Sequence, residues 1–383
     1  MDQMKIVRLL GQGSAHEESG MNCQDRLSVV TAPNGTKVFC ISDGCSGSKY
    51  AEIGAQSNLD VINRIFTHCT INELTHSKLK ELFPYLEKSP TPIQENDFAS
   101  CLRLIFRVEI LTTAICLLDV IPDPTELFAT LLFVVREKEK TLIGHIGDGN
   151  VVLYDKNGEI AFRSEEENGS DSSHTVFTLS ESFLHHFRCD VIPTSSYESL
   201  VMFSDGPQKM FRMESGTIPT GAYEIAMKPV KNGDVNTDAE LLAHMKTYIS
   251  HAMHYIFDDW SIIIACDLDG REDNQLEALT PTPLKQIFMK EFNRRRGIED
   301  PAPQTNNDMP FGGSEKPGGN SGNKLPDPKP LYNNNDFDIN ERIVNGRPDQ
   351  KGKQSYRYRQ EVVSVNGRGV VVEELEVKQG GKV

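Results

Sequence analysis

Three short apolar runs of this chain end in the same way, with an aspartate followed by a glycine. These runs are Ile41-Ser42-Asp43-Gly44, Ile146-Gly147-Asp148-Gly149 and Phe203-Ser204-Asp205-Gly206. A carboxylate pair, Asp258-Asp259, also precedes the apolar run that begins at Trp260. A carboxylate at a strand end stands on a rigid element, and glycine lets the backbone turn sharply or approach an ion. A single Asp-Gly is usually an ordinary turn, so only the repetition indicates a site.

Short β-rich runs alternate with helical patterns through the first 270 residues. Strands are predicted at Lys37–Ser42, Leu131–Val135, Thr141–Ile146, Val151–Tyr154, Leu200–Ser204 and Ser261–Ala265. Residues 136–140 and Asn157-Gly158 predict hairpin turns. Apolar residues at helical spacing predict long helices around 53–66 and 98–115. Strands linked by hairpins, together with two long helices, indicate antiparallel sheets covered by helices rather than a parallel sheet with crossovers.

The composition changes beyond residue 270. Apolar positions on one face of residues 283–296 predict a helix within a segment 271–300. Residues 301–335 hold 19 Pro, Gly or Asn, which predicts a disordered linker. In the tail, 336–383, valine-rich runs on both sides of Asn366-Gly367 predict a β-hairpin. We therefore expect one globular domain at 1–270, followed by a mostly disordered C-terminal tail. Its hairpin either pairs with another surface, on this chain or on a protein partner, or stays unfolded.

The charge and the cysteines exclude several classes of protein. The formal net charge is −15, and the excess of acid lies before residue 271, so nucleic acid is not expected as a partner. None of the eight cysteines forms a C-x-x-C pair, which argues against structural zinc. The first residues lack a signal-peptide pattern, and the most apolar long stretch, 110–121, is too short to span a bilayer. We expect a cytoplasmic protein without a membrane partner.

Six motifs in a fixed order resemble those of the metal-dependent protein phosphatase family, type 2C, in its bacterial-type variant with a Cys-Gln-Asp opening. They cover roughly residues 8–266. The motifs are Gly20-Met21-Asn22-Cys23-Gln24-Asp25, Ser42-Asp43-Gly44-Cys45-Ser46-Gly47, Ala129-Thr130-Leu131, Ile146-Gly147-Asp148-Gly149, Phe203-Ser204-Asp205-Gly206 and Asp258-Asp259-Trp260-Ser261. One motif alone is a weak signal, whereas six in order are a strong one.

The resemblance implies a fold, an activity and a cofactor. The implied fold is an α+β sandwich of the α-β-β-α kind, with two antiparallel sheets, helices outside and metals at one edge. The implied activity is hydrolysis of phosphoserine or phosphothreonine on a phosphorylated protein substrate. The implied cofactors are two ions of Mn²⁺ or Mg²⁺, since oxygen ligands select hard cations. A third ion is left open.

The resemblance also implies roles for individual residues. Asp43 would bridge two ions, the Gly44 carbonyl and Gln24 would serve the second site, and Asp205 and Asp258 would complete the first. Asp148 would lie near the third ion, and Asp25 would hold the attacking water as a catalytic residue.

Three residues depart from the family pattern. Gln24 stands where many members carry glutamate, and Gly20 stands where many carry a phosphate-gripping arginine. Lys49, Arg26 or His16 are the candidates to replace that arginine. Lys209 stands where an aspartate often helps to hold the third ion, so it either disfavours that ion or contacts phosphate. These departures favour one alternative, a pseudophosphatase that acts as a binding module. A third class, an interaction scaffold in which the tail is the functional part, is more remote.

Three further features have competing explanations. His16 is a candidate proton donor to the leaving group, but a solvated loop histidine explains it as well. Cys101 and Arg107 have the spacing of cysteine-based phosphatases, although the bulky apolar residues between them predict a core cysteine on a helix. The basic run at 351–359 either binds a polyanion or is simply solvated.

Overall fold

The computed structural model describes residues 4–88, 97–164, 166, 175–252, 256–267, 355–365 and 368–378. The chain divides into two units, Met1–Arg296 and Gly297–Val383. The predicted helix at 283–296 and the predicted disorder of 301–335 lie outside the described residues.

Ten strands of the first unit form two five-stranded sheets in which every pairing is antiparallel. In chain order they are β1 (Met4–Gly11), β2 (Arg26–Thr31), β3 (Lys37–Ser42), β4 (Leu131–Arg136), β5 (Lys140–Ile146), β6 (Asn150–Tyr154), β7 (Ile160–Arg163), β8 (Arg188–Pro193), β9 (Ser199–Phe203) and β10 (Trp260–Asp267). The first sheet has the order β2-β3-β4-β5-β8, and the second has the order β1-β10-β9-β6-β7.

The described helices of this unit are α1 (Ser14–Ser19), α2 (Ala51–His68), α3 (His76–Leu82), α4 (Phe98–Leu118), α5 (Phe183–His186), α6 (Gln208–Ser215), α7 (Ile218–Ala222), α8 (Lys228–Lys231) and α9 (Asp238–Ala252). Of these, α2, α4 and α9 are long and the others are short. A π-helical turn, Tyr223–Met227, joins α7 to α8.

The two sheets pack face to face through one alternating set of the apolar side chains on their strands. Phe39, Leu132 and Val134 of the first sheet share one buried cluster with Leu200 and Ile263 of the second. Successive strand residues point to opposite faces, so the neighbouring positions face outward toward the helices. This alternation builds the inner layer of the sandwich.

Helices cover the outer faces of both sheets. On the first sheet, Phe66 of α2 packs against Phe133 of β4 with ring centroids 6.1 Å apart, and α4 packs beside α2. On the second sheet, the outward residues Val201 and Ile262 join one cluster with Met245 of α9. The predicted α-β-β-α sandwich is therefore confirmed.

Strands β1, β2, β7 and β8 were not predicted from the sequence, and β8 lacks a strong apolar signal. Edge strand β8 exposes most of its side chains, including Val191, so no alternation of apolar and polar residues marks it. The predicted hairpin at Asn157-Gly158 joins β6 to β7, with Gly158 at φ 85°. Asn157 does not take a positive φ, since among the non-glycine residues described only Asp119 does.

The described part of the second unit is an antiparallel pair of strands, β11 (Ser355–Val365) and β12 (Arg368–Lys378). The register pairs Val365 with Arg368, so residues 366 and 367 connect the strands. Both strands are longer than the valine-rich runs that predict them. Among the described helices of the whole chain, none is both long and apolar enough to cross a membrane.

Candidate metal centre

Strand register in the first sheet brings two of the predicted acidic residues to one edge. Arg26 pairs with Ser42 across β2 and β3. Asp25 and Asp43 lie one residue beyond these partners, so both leave the sheet at the same end. The Thr130 amide donates to the Asp43 carbonyl at 2.8 Å, and the Asp43 amide donates to Thr130 Oγ1 at 3.1 Å. The start of β4 therefore holds the turn that carries Asp43.

Strand register in the second sheet places three more carboxylates at the same end of the sandwich. Ile262 of β10 and Asn150 of β6 both pair with Phe203, at the end of β9. Asp205 follows β9, Asp258 precedes β10 and Asp148 precedes β6, where the chain crosses from one sheet to the other. We call Asp25, Asp43, Asp148, Asp205 and Asp258 the acidic cluster.

Contacts across the two sheets bring the members of the acidic cluster close together. Ser261 Oγ of β10 donates to Asp25 Oδ2 at 2.7 Å, which ties the entry of β2 to the second sheet. The Asp43 side chain lies within hydrogen-bonding reach of both Asp25 and Asp205. Thr175 Oγ1 donates to Asp148 Oδ2 at 2.5 Å. Residues from separate turns therefore form one polar site.

Burial and mutual repulsion disfavour the charged forms of these carboxylates. Burial raises the pKa of Asp25 to about 7, against hydrogen bonds from Ser204 and Ser261 that lower it. Burial, followed by the charges of Asp148, Asp258 and Asp25, raises the pKa of Asp205 to about 8. The pKa of Asp43 is raised well above its usual value by burial and then by its four acidic neighbours. Several negative charges crowded in this way would be stabilised by cations.

Three buried oxygen atoms at the site have no hydrogen-bond partner within the described part of the chain. They are Gln24 Oε1, Asp25 Oδ1 and Asp205 Oδ1. A buried acceptor without a donor is costly, and a cation or a water would satisfy it. All three are oxygens, the donor type that Mg²⁺ and Mn²⁺ prefer.

Within the described residues, no group of three or more His, Cys, Asp or Glu side chains is arranged to hold a metal ion by itself. A Mg²⁺ ion usually keeps several waters and takes only one or two carboxylates, so it does not need such a group. Gly44 and Gln24 belong to none of these four residue types, so their carbonyl and amide oxygens are additional candidate ligands. The donor set therefore fits hydrated hard cations better than zinc.

Gln24 and Gly44 lie against each other beside the acidic cluster. Gln24 is 3% exposed, and its Nε2 donates to the Ser48 carbonyl at 3.2 Å. Gly44 forms an isolated β-bridge with Ala129. A Cβ at Gly44 would lie 2.8 Å from the Cβ atoms of both Gln24 and Ala51, so only glycine fits without a shift. This packing brings the Gly44 backbone next to the Gln24 side chain.

His16 is a buried residue of α1 rather than a solvated loop histidine. Its side chain is 7% exposed, and its Nδ1 lies 2.8 Å from Asp259 Oδ2. Its Nε2 lies 3.9 Å from Asp258 Oδ1. Asp259 is itself 1% exposed, and sequence reasoning did not assign it a role. The adjacent acidic pair at 258–259 was visible in the sequence. The sequence does not show, however, which of the two would bind a metal and which would support the fold.

The basic candidates for gripping phosphate differ in their surroundings. Arg26 is fully buried, and its Nη1 donates to the carbonyls of Cys23 and Asp25 at 2.7 and 2.6 Å. Lys49 is exposed, with its Nζ 4.7 Å from the ring centroid of Tyr50. Lys209 is also exposed, with its Nζ 5.3 Å from the ring centroid of Phe257. Arg26 is therefore committed to the backbone, whereas both lysines are accessible.

Two other positions have structural explanations. Gly20 ends α1 in the left-handed region with φ 68°, where glycine avoids strain. Cys101 is 1% exposed inside α4, and burial raises its thiol pKa to about 11. A thiol on a packed helix that stays protonated is not the nucleophile of a phosphate-binding loop.

Comparison with known proteins connects this site to a family. The family model described as Protein phosphatase 2C matches residues 12–230. No significant match was found among curated protein sequences.

Several solved structures resemble the chain at low sequence identity. A bacterial serine phosphatase variant has TM-score 0.47 and 10% identity, over 72% of this chain and 100% of that one. The serine/threonine phosphatase PstP of Mycobacterium tuberculosis has TM-score 0.43 and 13% identity, over 69% and 98%. The PstP catalytic domain in complex with two manganese ions has TM-score 0.42 and 12% identity, over 70% and 99%.

Carboxylates crowded at one end of the sandwich suit a metal-dependent hydrolase. The family model covers more than half of the chain, and the chain belongs to the protein phosphatase 2C family. It is a metal-dependent protein serine/threonine phosphatase that uses Mn²⁺ or Mg²⁺, which confirms the predicted activity and cofactor over the pseudophosphatase alternative.

Proposed function

We propose that the acidic cluster, together with Gln24 and the Gly44 carbonyl, is the catalytic centre of this phosphatase. The observation that carries the proposal is the convergence of five aspartates, from turns far apart in sequence, at one end of the sandwich. Burial, followed by the charges of the neighbouring aspartates, raises the pKa of Asp43 and Asp205, and bound cations would offset the cost of keeping these carboxylates charged. Stability alone does not account for such an arrangement.

The proposed ligand roles are those that the family resemblance implies. Asp43 is within hydrogen-bonding reach of both Asp25 and Asp205, which suits a carboxylate that serves two ions. Gln24 and the Gly44 carbonyl would hold one ion, and Asp205 and Asp258 would hold the other. When bound, two such cations lower the pKa of water and neutralise the charge that develops on the phosphoryl group.

Asp25 is suited to orient the water that attacks phosphorus. Its Oδ2 accepts the Ser261 hydroxyl, which fixes the carboxylate in one orientation. Its Oδ1 is buried and has no hydrogen-bond partner within the described residues. That oxygen would accept a hydrogen bond from the attacking water and hold it in line with the leaving group.

Asp148 has weaker support for a metal role. Burial raises the pKa of Asp148, but its Oδ2 already accepts the Thr175 hydroxyl, which lowers that pKa. Lys209, an exposed cation four residues after Asp205, further disfavours a third ion. We therefore place Asp148 at the edge of the centre and propose that the centre binds two ions.

The substrate and the cellular setting are proposals of the same kind. A phosphorylated protein is the substrate expected of this family. All eight cysteines are free, which supports a reducing compartment such as the cytoplasm. The acidic body disfavours nucleic acid and anionic membranes. The paired strands β11 and β12 would bind a protein surface by adding to a sheet edge.

A turnover assay tests the proposed function. Purified full-length protein should release phosphate from a phosphothreonine peptide and from p-nitrophenyl phosphate only with Mn²⁺ or Mg²⁺, and a chelator should stop both reactions. Asp190→Asn, an exposed change on β8, is the control for loss of one carboxylate. Turnover that persists in chelator, or no turnover with either ion, would contradict the proposal.

A further inference from the structure

The Asp259 carboxylate joins three segments that are far apart in sequence. Its Oδ1 accepts the Gly13 amide at 2.9 Å, and its Oδ2 accepts the Gln24 amide at 2.5 Å. His16 Nδ1 lies 2.8 Å from the same Oδ2. Asp259 is almost fully buried, so these three groups surround it in place of water. Both oxygens of Asp259 are therefore occupied by protein groups.

The segments that Asp259 joins are the ones that carry the proposed centre. Gln24 and Asp25 are consecutive, and Asp258 directly precedes Asp259. The Asp259 carboxylate thus sets the distance between Gln24, a proposed ligand of the second ion, and Asp258, a proposed ligand of the first. A shift of this carboxylate would move both sides relative to each other.

The first turn of α1 is seated on the same segment by its backbone. The Ala15 amide donates to the Phe257 carbonyl at 3.1 Å. A Cβ at Gly13 would lie 2.2 Å from the carbonyl carbon of Asp258, so the two backbones touch directly. His16 extends from this turn into the buried space beside Asp258 and Asp259.

The two ring nitrogens of His16 face the two consecutive carboxylates. Nδ1 lies 2.8 Å from Asp259 Oδ2, a close polar contact that lacks hydrogen-bond geometry, whereas Nε2 is 3.9 Å from Asp258 Oδ1. Asp258 is far more open, with 45% of its side chain exposed against 7% for His16. The His16 ring is thus buried, whereas the neighbouring Asp258 side chain is open to solvent.

We propose that His16 and Asp259 are a positioning pair that fixes the Gln24–Asp25 segment against Asp258, and that His16 is not the proton donor to the leaving group. The inference rests on the proposed function, because it takes the acidic cluster as the metal and catalytic centre. Residues that orient metal ligands typically change metal affinity by about 10–100-fold when they are replaced.

The test uses three variants of the full-length chain and one control. His16→Leu removes both ring nitrogens, and His16→Asn restores a donor near the place of Nδ1. Asp259→Asn keeps the volume but leaves one acceptor oxygen for two backbone amides. Glu18→Ala, an exposed change on α1, is the control. For each, Mn²⁺ affinity is measured by calorimetry, and turnover is measured on p-nitrophenyl phosphate and on phenyl phosphate, which has the poorer leaving group.

The positioning pair predicts one pattern in all measurements. His16→Leu and Asp259→Asn should each weaken Mn²⁺ affinity at least about tenfold and slow both substrates by the same factor. His16→Asn should recover most of both losses, and Glu18→Ala should match wild type. The double variant should be no worse than the more damaging single one, since the two residues act as a unit.

Three results would overturn the inference. A loss on phenyl phosphate that is at least tenfold greater than on p-nitrophenyl phosphate would make His16 the proton donor. Unchanged Mn²⁺ affinity with a lower melting temperature alone would make the pair purely structural. Failure of His16→Asn to recover Mn²⁺ affinity would contradict a role for the polar contact at Nδ1. Wild-type protein that binds Mn²⁺ but hydrolyses neither substrate would contradict the proposed function. The Mn²⁺ affinities of the variants, measured by calorimetry, would still test the positioning pair. If His16→Leu does not fold, the two polar variants carry the test.

Discussion

Opposing effects determine whether each carboxylate of the acidic cluster is charged. Burial disfavours their charge, which raises the pKa of Asp25 to about 7 and that of Asp205 to about 8. Hydrogen bonds from Ser204 and Ser261 to Asp25 favour its charge. A bound dication would shift the balance to the charged forms, because an opposite charge at close range outweighs desolvation. Metal binding and folding stability should therefore be coupled at these residues.

Asp43→Asn and Asp205→Asn test this coupling. Each should lower turnover by two orders of magnitude or more, a larger loss than the roughly 10–100-fold seen for residues that only orient ligands. Wild type should gain about 2.7 kcal/mol of unfolding free energy at a Mn²⁺ concentration 100 times its Kd. Both variants should lose that gain, as measured by thermal melts with and without Mn²⁺. Near wild-type turnover in either variant would exclude it as a ligand.

Gln24→Glu separates charge from hydrogen bonding at the second ion. A carboxylate would attract the cation more strongly than the amide, so half-maximal activity should need less Mn²⁺. It would also lose the donation from Nε2 to the Ser48 carbonyl, so the melting temperature without metal should fall. Gln24→Ala removes the amide oxygen and supplies no carboxylate, so half-maximal activity should need more Mn²⁺. An unchanged or higher requirement in Gln24→Glu would show that the site is adapted to glutamine.

Lys209→Asp tests whether the exposed lysine on α6 serves the substrate or excludes a third ion. Its ammonium lies over the Phe257 ring, next to Asp258. If it attracts the anionic substrate, the KM for a phosphopeptide should rise while the Mn²⁺ requirement stays the same. Lys246→Asp on α9 makes the same change in net charge at another exposed site. A steeper Mn²⁺ dependence with unchanged KM would instead indicate a third ion.

At the scale of elements, the site is positioned by strand ends and by the helix behind them. Asn58 of α2 donates to Ser42 Oγ at 3.1 Å and to the Thr130 carbonyl at 3.3 Å. It therefore supports the end of β3, which carries Asp43. The start of α2 also lies close to the backbone at Leu127, where a Cβ on Gly54 would be 2.0 Å from the carbonyl oxygen.

Gly54→Ala should move α2 away from this backbone. Alanine favours a helix over glycine by about 0.5–1 kcal/mol, but overpacking costs about 1–3 kcal/mol, so the clash should win. The unfolding free energy measured in denaturant should fall, and turnover should fall with it because Asn58 shifts. Gly47→Ala, whose added methyl meets nothing within 3.9 Å, is the control. A stabilised Gly54→Ala protein would show that the helix relaxes without strain.

The central strands of both sheets and the two long helices could be predicted from sequence because buried apolar runs have a clear period. Strand β8 could not, since an exposed edge strand has no such pattern. Asp43, Asp148, Asp205 and Asp258 were predictable because each is at the end of an apolar run, whereas Asp25 was indicated only by the family resemblance. Asp259 and Arg26 were not, because their partners are backbone groups brought close only by the fold. His16 was noticed, but its burial depends on β10, more than 240 residues later.

At the scale of the whole molecule, every residue of the proposed centre belongs to the first unit. The last of them is Asp258, and β10, which follows it, ends at Asp267. The second unit contributes the paired strands β11 and β12. An isolated two-stranded hairpin is marginal in water, so this pair needs a further surface for stable folding. Catalysis and the hairpin should therefore be separable.

Truncation of the chain tests this separation. A protein of residues 1–296 should keep the melting temperature and the p-nitrophenyl phosphate turnover of the full chain, because the sandwich and the acidic cluster are complete without the second unit. A shorter protein of residues 1–267 shows whether 268–296 adds stability. A peptide of residues 355–378 should show little β-structure by circular dichroism when alone. A large fall in melting temperature or turnover of 1–296 would make the C-terminal unit part of the catalytic fold.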